Sequence, residues 1–376
     1  MKAIEKNIVI LWLVALFITG CSQSSDEEFS RSTVNLDINV SLSDVSAPVT
    51  RGVDRYEGAA SKEEKIQTLR IIVVRPDGIV EHNRLLSLAS AVEVYKSATF
   101  KVAGKETKRI YLFVNEGLTT KKNVVPESSV SSDKLPNFDF NTIIVGQPFP
   151  TDEIAALTID MGGNTEELYG ALPMSECHEV KVPEEDCTFN LFVTRAAVKF
   201  SFRITNQGSN PLKLAGLTID KMAKQEYYLP KNTKYSAVND KGGREIIEYD
   251  VPSNTGENNG YYTFNRTYDV SLPVNTQVVL DPIYLLESKY TNPAGSVGND
   301  GITPLNYSMS ISFAELGGEK QLSEYLKNLP LLPRNTHVVV NITIGDSKID
   351  WSVDLEPYGE VVLPPIFGLD PEETKK

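Results

Sequence analysis

The sequence predicts an all-β protein made of two β-sandwich domains in tandem. The first indication is residues 33–42, where apolar and polar side chains alternate without a break, as in a strand with one buried face. The second is the recurrence of short β-branched and aromatic segments between Gly, Pro and Asn turns, while helical periodicity is scarce. The chain has 376 residues, enough for two domains of ordinary size.

The apolar row of the first segment is Val34, Leu36, Ile38, Val40 and Leu42. Further strands are predicted at residues 66–74, 109–117, 157–160, 189–206, 213–219, 245–251, 261–270, 277–286, 307–313 and 337–344. Residues 109–117 are apolar on both faces and are therefore predicted to be central in a sheet. Residues 323–329 fit a short helical turn. The predicted domains are residues 33–187 and 188–376.

The N-terminus has the order of a secretory signal: Lys2 and Lys6, then the uncharged apolar residues 8–18. That run is too short to cross a bilayer, which needs about 20 residues, so residues 1–20 are predicted to be a removed signal peptide. Cys21 follows where the bacterial lipobox has its lipidated cysteine, and the resemblance implies acylation of Cys21. An ordinary signal peptide with an incidental cysteine is the alternative.

Residues 21–32 are predicted to be a tether between that lipid and the first domain. The acids at positions 26–28 resemble the export tag of surface-exposed lipoproteins of the Bacteroidota. This resemblance implies that the protein faces outward from the cell outer membrane. A solvated tether without a specific signal explains the same acids.

Cys177 and Cys187 flank a polar stretch of nine residues. In an extracytoplasmic protein they could close a small loop by a disulfide. Free buried cysteines are also common, and the sequence leaves both alternatives open.

The sequence carries no pattern of a catalytic, metal or nucleic-acid site. His82, His178 and His337 are far apart and no pair has the spacing of metal ligands. There is no nucleophile elbow or phosphate-binding loop, and a formal charge of −13 does not favour nucleic acid as a partner. We therefore expect no enzymatic activity, no cofactor and no metal.

Several segments together resemble the fimbrillins, the type V pilin subunits of the Bacteroidota. They are EEKIQTLRIIVVRPDG, KRIYLFVNEG, LYGALPMSE, FVTRAAVKFSFRITN, LPRNTHVVVNITI and IDWSVDLEPYGEVVLPPIFGLD. The resemblance runs from about residue 34 to residue 369. It implies two transthyretin-like β-sandwich domains and assembly with other fimbrial subunits by strand exchange.

In polymerising fimbrillins, an arginine-specific protease cuts the loop after the first strand, which leaves and is replaced by a strand from a neighbour. The corresponding loop here carries Arg51, followed by Gly52, and Arg55. Arg51 is the preferred site, and ordinary uncut loop arginines are the alternative. The displaced strand would be residues 33–42.

The C-terminal segment is the candidate donor strand. Its apolar positions are Trp351, Val353, Leu355, Val361, Leu363 and Phe367. Pro357 interrupts the pattern, which keeps the segment at a sheet edge. It fits equally well as the last strand of its own domain.

The resemblance implies a stalk or tip subunit of a fimbrium that supports adhesion to a host or bacterial surface receptor. An anchor subunit that keeps its lipid is the nearest alternative. A non-fimbrial surface lipoprotein that binds glycans is another, although Trp12 and Trp351 are the only tryptophans that could stack on a sugar.

Overall fold

The computed structural model describes residues 32–43, 61–124, 129–163, 165–236, 246–252, 261–287, 308–315, 318–325, 332–356 and 358. In the first half the elements are β1 (Thr33–Leu42), β2 (Ile66–Val74), β3 (Val80–Val92), β4 (Val94–Ala103), β5 (Glu106–Val114), β6 (Thr119–Asn123), β7 (Ser129–Val130), α1 (Thr151–Ala156), β8 (Thr158–Asp160), β9 (Glu166–Gly170), β10 (Met174–Val182) and β11 (Cys187–Arg195). The first predicted strand has the predicted bounds, because its alternation begins and ends with the strand.

In the described residues of the second half, all assigned elements are strands. They are β12 (Val198–Asn206), β13 (Leu212–Ala223), β14 (Gln225–Tyr227), β15 (Lys234–Tyr235), β16 (Ile246–Glu248), β17 (Tyr261–Leu272), β18 (Thr276–Val279), β19 (Ile283–Leu285), β20 (Ser308–Glu315), β21 (Gly318–Tyr325), β22 (His337–Ile344) and β23 (Ile349–Glu356). The all-β prediction is confirmed. The helical turn predicted from residue 323 is wrong at its start, because residues 323–325 pair with β20 as part of β21.

Seven strands of the first half form one path in the order β3-β2-β5-β10-β11-β1-β4. The predicted central strand, β5, lies between β2 and β10. Strands β10 and β11 share only two residue pairs, Met174 with Arg195 and Ser175 with Thr194. The sheet is therefore only narrowly connected between these two strands. The apolar side chains of the strands on either side of this connection belong to one core.

The two ends of this path, β3 and β4, meet through side chains. The Nε2 atom of His82 lies 2.7 Å from the carbonyl oxygen of Lys101, and the backbone N–H of Ala103 donates to Oε1 of Glu81 at 3.0 Å. Side chains of β3 thus make hydrogen bonds with backbone groups on the outer edge of β4. Without them, these groups would be open to pairing with another strand.

The second half contains two larger sheets. One has the order β18-β12-β22-β23, with β19 also paired to β12, and the other has the order β17-β13-β20-β21. Strands β12 and β22 are parallel, and Phe202 pairs with Val340. Their buried side chains share a core with those of β13, β17 and β20, as expected of a β-sandwich.

The chain passes from the first half to the second between β11 and β12. The sequence predicts one strand over residues 189–206, and this is wrong, because the ladder breaks at Ala196 and Ala197. Ala196 N–H donates to the Pro173 carbonyl at 2.8 Å, and the Ala197 carbonyl accepts from Asn335 N–H at 2.9 Å. Since β11 belongs to the first sheet, we propose a domain boundary at these alanines in place of the predicted one after residue 187.

Among the described residues, no helix has the length and apolar character needed to cross a membrane.

Candidate strand groove

Strand β1 lies between two partners and fills the space between them. It runs parallel to β11, with Leu36 opposite Cys187 and Leu42 opposite Val193. On its other side it runs antiparallel to β4, with Val34 opposite Val102. Removal of β1 would therefore separate β11 from β4 and leave a groove with unpaired backbone groups along both walls.

The apolar side chains of β1 pack into the core at the bottom of this groove. All five are buried, the most exposed being Val34 at 4%. Each contributes roughly 1.5 to 3 kcal/mol when fully buried. Burial of the whole row therefore stabilises the fold by on the order of 10 kcal/mol, an upper bound because unfolded chains are themselves partly compact.

The polar row of β1 makes specific contacts with both walls. The side-chain amide of Asn39 donates to Oδ1 of Asn190 at 2.8 Å, and its own Oδ1 accepts from the N–H of Ser97 at 2.9 Å. At the start of the strand, Asn35 donates from its backbone N–H and from Nδ2 to the two oxygens of Asp186, at 2.7 and 2.8 Å. The outer face of the groove is thus lined by groups that recognise amide side chains.

The C-terminal end of β1 is held by both halves of the molecule. Leu42 N–H donates to the Glu93 carbonyl at 3.0 Å, and Ser43 N–H donates to the Val193 carbonyl at 2.8 Å. The carbonyl of Ser43 accepts from Nδ2 of Asn335 at 3.1 Å, across 292 positions of sequence. Residue 43 is the last described residue before the loop that carries Arg51 and Arg55.

Asn335 is itself fixed by Arg195. The guanidinium donates from Nη1 to Oδ1 of Asn335 at 2.8 Å and from Nε to the carbonyl of Glu64 at 3.0 Å. Its Cζ atom lies 4.6 Å from the centre of the Tyr358 ring. Arg195 is 1% exposed, and burial lowers its pKa from the ordinary value.

The described chain resumes at Ser61, and the residues that follow are also held next to Arg195. Glu64, in the short 3-10 helix Lys62–Glu64, is fully buried. Its carboxylate pairs with the ammonium of Lys199 at 2.6 Å and accepts from the hydroxyl of Tyr284 at 2.6 Å. Both flanks of the predicted cleavage loop are therefore tied to the second half, through Lys199, Tyr284 and Asn335.

Of the predicted donor positions, three lie on β23. Among the described strands it pairs with β22 alone, Trp351 opposite Ile342 and Leu355 opposite Val338, and it forms the edge of its sheet there. Leu355 is buried at 4% exposure, while Trp351 and Val353 are half-buried. Cys21, Arg51, Arg55, Val361, Leu363 and Phe367 lie outside the described residues.

The two remaining cysteines are both free thiols. Cys177 on β10 is opposite Tyr111. Cys187 on β11 is opposite Leu36 of β1, so the two cysteines lie on strands that pair only near Met174 and Ser175. The disulfide considered from the sequence is not made in this arrangement.

The histidines do not assemble a reactive site among the described residues. His178 is held 2.7 Å from the Phe192 carbonyl, and burial lowers its pKa to about 4. His337 lies 2.9 Å from Oγ of Ser201, but it is 1% exposed and its ring faces the Tyr358 ring. No cluster of three or more His, Cys, Asp or Glu side chains suited to a metal ion occurs in the described part of the chain.

Strand β10 of the first sheet carries a buried carboxyl group. Glu176 on β10 accepts from the hydroxyl of Tyr235 at 2.8 Å and from Oγ1 of Thr194 at 3.3 Å. Burial raises its pKa to about 7 against the opposing effect of these hydrogen bonds and of Arg334. The two halves are therefore also joined by a hydrogen bond whose acceptor titrates near neutrality.

Sequence reasoning identified β1 but missed the groups that hold it. Asn190, Asp186 and Asn335 come close to β1 only in the folded chain. The signal in the sequence is the pair of segments that contain Arg195 and Asn335, both of which resemble fimbrillin segments.

The fold is similar to that of solved fimbrial proteins. The tip fimbrial protein Mfa3 from Porphyromonas gingivalis, in a C-terminally truncated form, is 14% identical with a TM-score of 0.50, over 86% of this chain and 99% of that one. A fimbrilin from Porphyromonas gingivalis W83 is 13% identical with a TM-score of 0.44, over 88% and 99% of the two chains. No protein-family model matches the sequence, and no curated protein matches it. The chain thus has the fold of a fimbrial protein, which confirms the fold that its resemblance to the fimbrillins implied.

Proposed function

We propose that this protein is a stalk or tip subunit of a cell-surface fimbrium. In this proposal it is exported as a lipoprotein acylated on Cys21, reaches the outer membrane surface, and is cut at Arg51 or Arg55. Strand β1 then leaves, and a strand from another subunit takes its place. The observation that carries the proposal is the position of β1 between β11 and β4, with its whole apolar row buried.

The geometry favours exchange of this strand over others. An incoming strand at this position gains two walls of backbone hydrogen bonds and a buried apolar row, the combination used in β-augmentation. A strand added at an ordinary sheet edge gains only one wall. Since β1 is joined to the next described residue, Ser61, only through the loop at 44–60, one cut there separates it from the rest of the domain.

For the donor, the proposal favours Val361, Leu363 and Phe367 over Trp351, Val353 and Leu355. The latter three already complete the second-half sheet as part of β23. An exchange that used them would have to remove β23 from β22 first. The alternative donor positions, Val361, Leu363 and Phe367, lie beyond the last described residue.

The test is limited digestion of the mature chain with an arginine-specific protease. We expect one early cut, identified by the new N-terminus as Gly52 or Tyr56, followed by oligomers that survive mild heating in detergent as a ladder. Arg51→Lys and Arg55→Lys variants assign the site. Arg75→Lys, which changes a half-buried arginine directly after β2, is the control and should leave the cut unchanged.

A variant ending at residue 358 separates cutting from assembly. It should be cut normally but form no ladder, because the proposed donor is absent. If the full chain resists digestion and stays monomeric, the lipid-retaining anchor or a non-fimbrial binding protein becomes the better explanation.

A further inference from the structure

Asn335 is placed where the occupant of the groove ends. Its side-chain amide donates to the carbonyl of Ser43, one residue beyond β1. The backbone around Asn335 is held by the hydrogen bond from its N–H to Ala197, at the junction of the two halves. Because Asn335 is 2% exposed, this contact is made away from solvent.

The conformation of Asn335 explains why this residue type occupies the position. Its φ is +61°, a region that asparagine and aspartate tolerate better than other non-glycine residues. Its Oδ1 accepts from Arg195, which orients the amide so that Nδ2 faces Ser43. Arg195 therefore acts on β1 through Asn335 and fixes which of the two amide atoms faces the strand.

We infer that Asn335 is a positioning residue that recognises the backbone carbonyl one residue beyond the strand in the groove, and so holds the end of that strand in place. Before cleavage it retains the end of β1. The part of this inference that concerns an incoming strand rests on the proposed function, while the retention of β1 does not.

The first experiment measures hydrogen exchange in the uncut mature chain. Asn335→Asp keeps the shape, the tolerance for positive φ and the acceptor for Arg195, but replaces the donor that faces Ser43. We expect the amides of Leu42 and Ser43 to exchange about tenfold faster, the effect of losing one ordinary hydrogen bond. The amide of Leu280, which donates to Phe202 in the second half, reports global unfolding and should be unchanged.

Asn206→Asp is the matched control. Asn206 is fully buried, and its Nδ2 donates to the carbonyls of Asn210 and Leu272, remote from β1. This variant should leave exchange at Leu42 and Ser43 as in the wild type. Equal rates at these two amides in wild type and Asn335→Asp would overturn the inference, as would an equal acceleration in both variants.

The second experiment uses synthetic strands and chain nicked at a protease site introduced into residues 44–60. The probe peptides cover residues 32–43 and 32–42, both amidated. The shorter peptide keeps the N–H that meets the Val193 carbonyl but lacks the carbonyl of Ser43. We expect Asn335→Asp to weaken binding of the longer peptide about tenfold and to leave the shorter one unchanged.

The two experiments separate the inference from the function it extends. An equal loss for both peptides would show that Asn335 does not recognise the carbonyl. Failure of either peptide to enter nicked wild-type protein would count against strand exchange itself, and the exchange rates of the uncut chain would still decide whether Asn335 retains β1.

Discussion

The carboxylate of Glu64 and the ammonium of Lys199 lie 2.6 Å apart and join the two halves of the molecule. Glu64 is the fourth described residue after positions 44–60, and Lys199 is the second residue of β12. The side chain of Glu64 is fully buried and that of Lys199 is 13% exposed. Such a pair is strongly sensitive to the loss of one partner, because the other charge stays in a poorly solvated place.

We predict that Glu64→Gln lowers the free energy of unfolding by about 3 kcal/mol. Urea unfolding of the uncut chain measures this. Lys199→Met should be less damaging in the Glu64→Gln background than alone, since it removes the charge left without a carboxylate. Additive effects in this double-mutant cycle would contradict a coupled pair.

The apolar row of β1 should contribute to stability one residue at a time. Ile38→Ala removes a fully buried side chain, and we expect it to lower the free energy of unfolding of the uncut chain by about 3 kcal/mol, within the usual range for such a substitution. Lys101→Ala, on the adjacent strand β4, changes an exposed side chain and serves as the control. An effect of Ile38→Ala no larger than that of the control would mean that the groove tolerates an empty position.

Stability should fall as the pH rises from about 4.5 to above 7, in part because of Glu176. Its pKa is about 7 in the folded protein and 4.5 ordinarily, so folding favours the protonated form. The stabilisation is complete below the unfolded pKa and is lost as pH rises through the folded pKa. Each pKa unit corresponds to about 1.4 kcal/mol, so the change is on the order of 3 kcal/mol.

Glu176→Gln tests this assignment, because glutamine stays neutral throughout. Unfolding free energies at pH 5 and pH 8 should differ less in this variant than in the wild type. Glu179→Gln, on the same strand but with a largely exposed side chain, should keep the wild-type difference. A wild-type slope in Glu176→Gln would assign the pH dependence to other groups.

The free thiols should differ in reactivity. Burial raises the pKa of the Cys177 thiol to about 12. Burial also raises the pKa of the Cys187 thiol, which is less buried than Cys177. In mature chain carrying Cys21→Ser, we expect an alkylating reagent at pH 8 to modify Cys187 first and Cys177 only after unfolding. A mass lower by the two hydrogens lost in a disulfide would contradict the free-thiol arrangement.

The alternation of residues 33–42 was enough to predict β1 with its correct bounds, because every second side chain meets the same core. The same rule failed at residues 189–206, where alternation continues on both sides of Ala196 and Ala197. Small residues do not interrupt an apolar pattern, and the break is made by contacts with Pro173 and Asn335 that are distant in sequence.

The partners of β1 could not be predicted for a related reason. Strand β4 has only its alternate positions buried, and the long strand β3 before it is half-exposed along most of its length, as expected at a sheet edge. Neither gives a strong pattern. Asp186 and Asn335 lie in polar turn-forming stretches, so only the fold shows that they contact β1.

The side chains that β3 places on the edge of β4 limit how many neighbours a subunit could accept. With His82 and Glu81 occupying backbone groups of that edge, a foreign strand meets side chains where it would need free carbonyl and amide groups. In the proposed assembly the incoming strand therefore enters the groove vacated by β1 and not the edge of β4. Subunits that each carry one such groove and one donor strand join end to end, so the product is an unbranched thread rather than a sheet or an irregular aggregate.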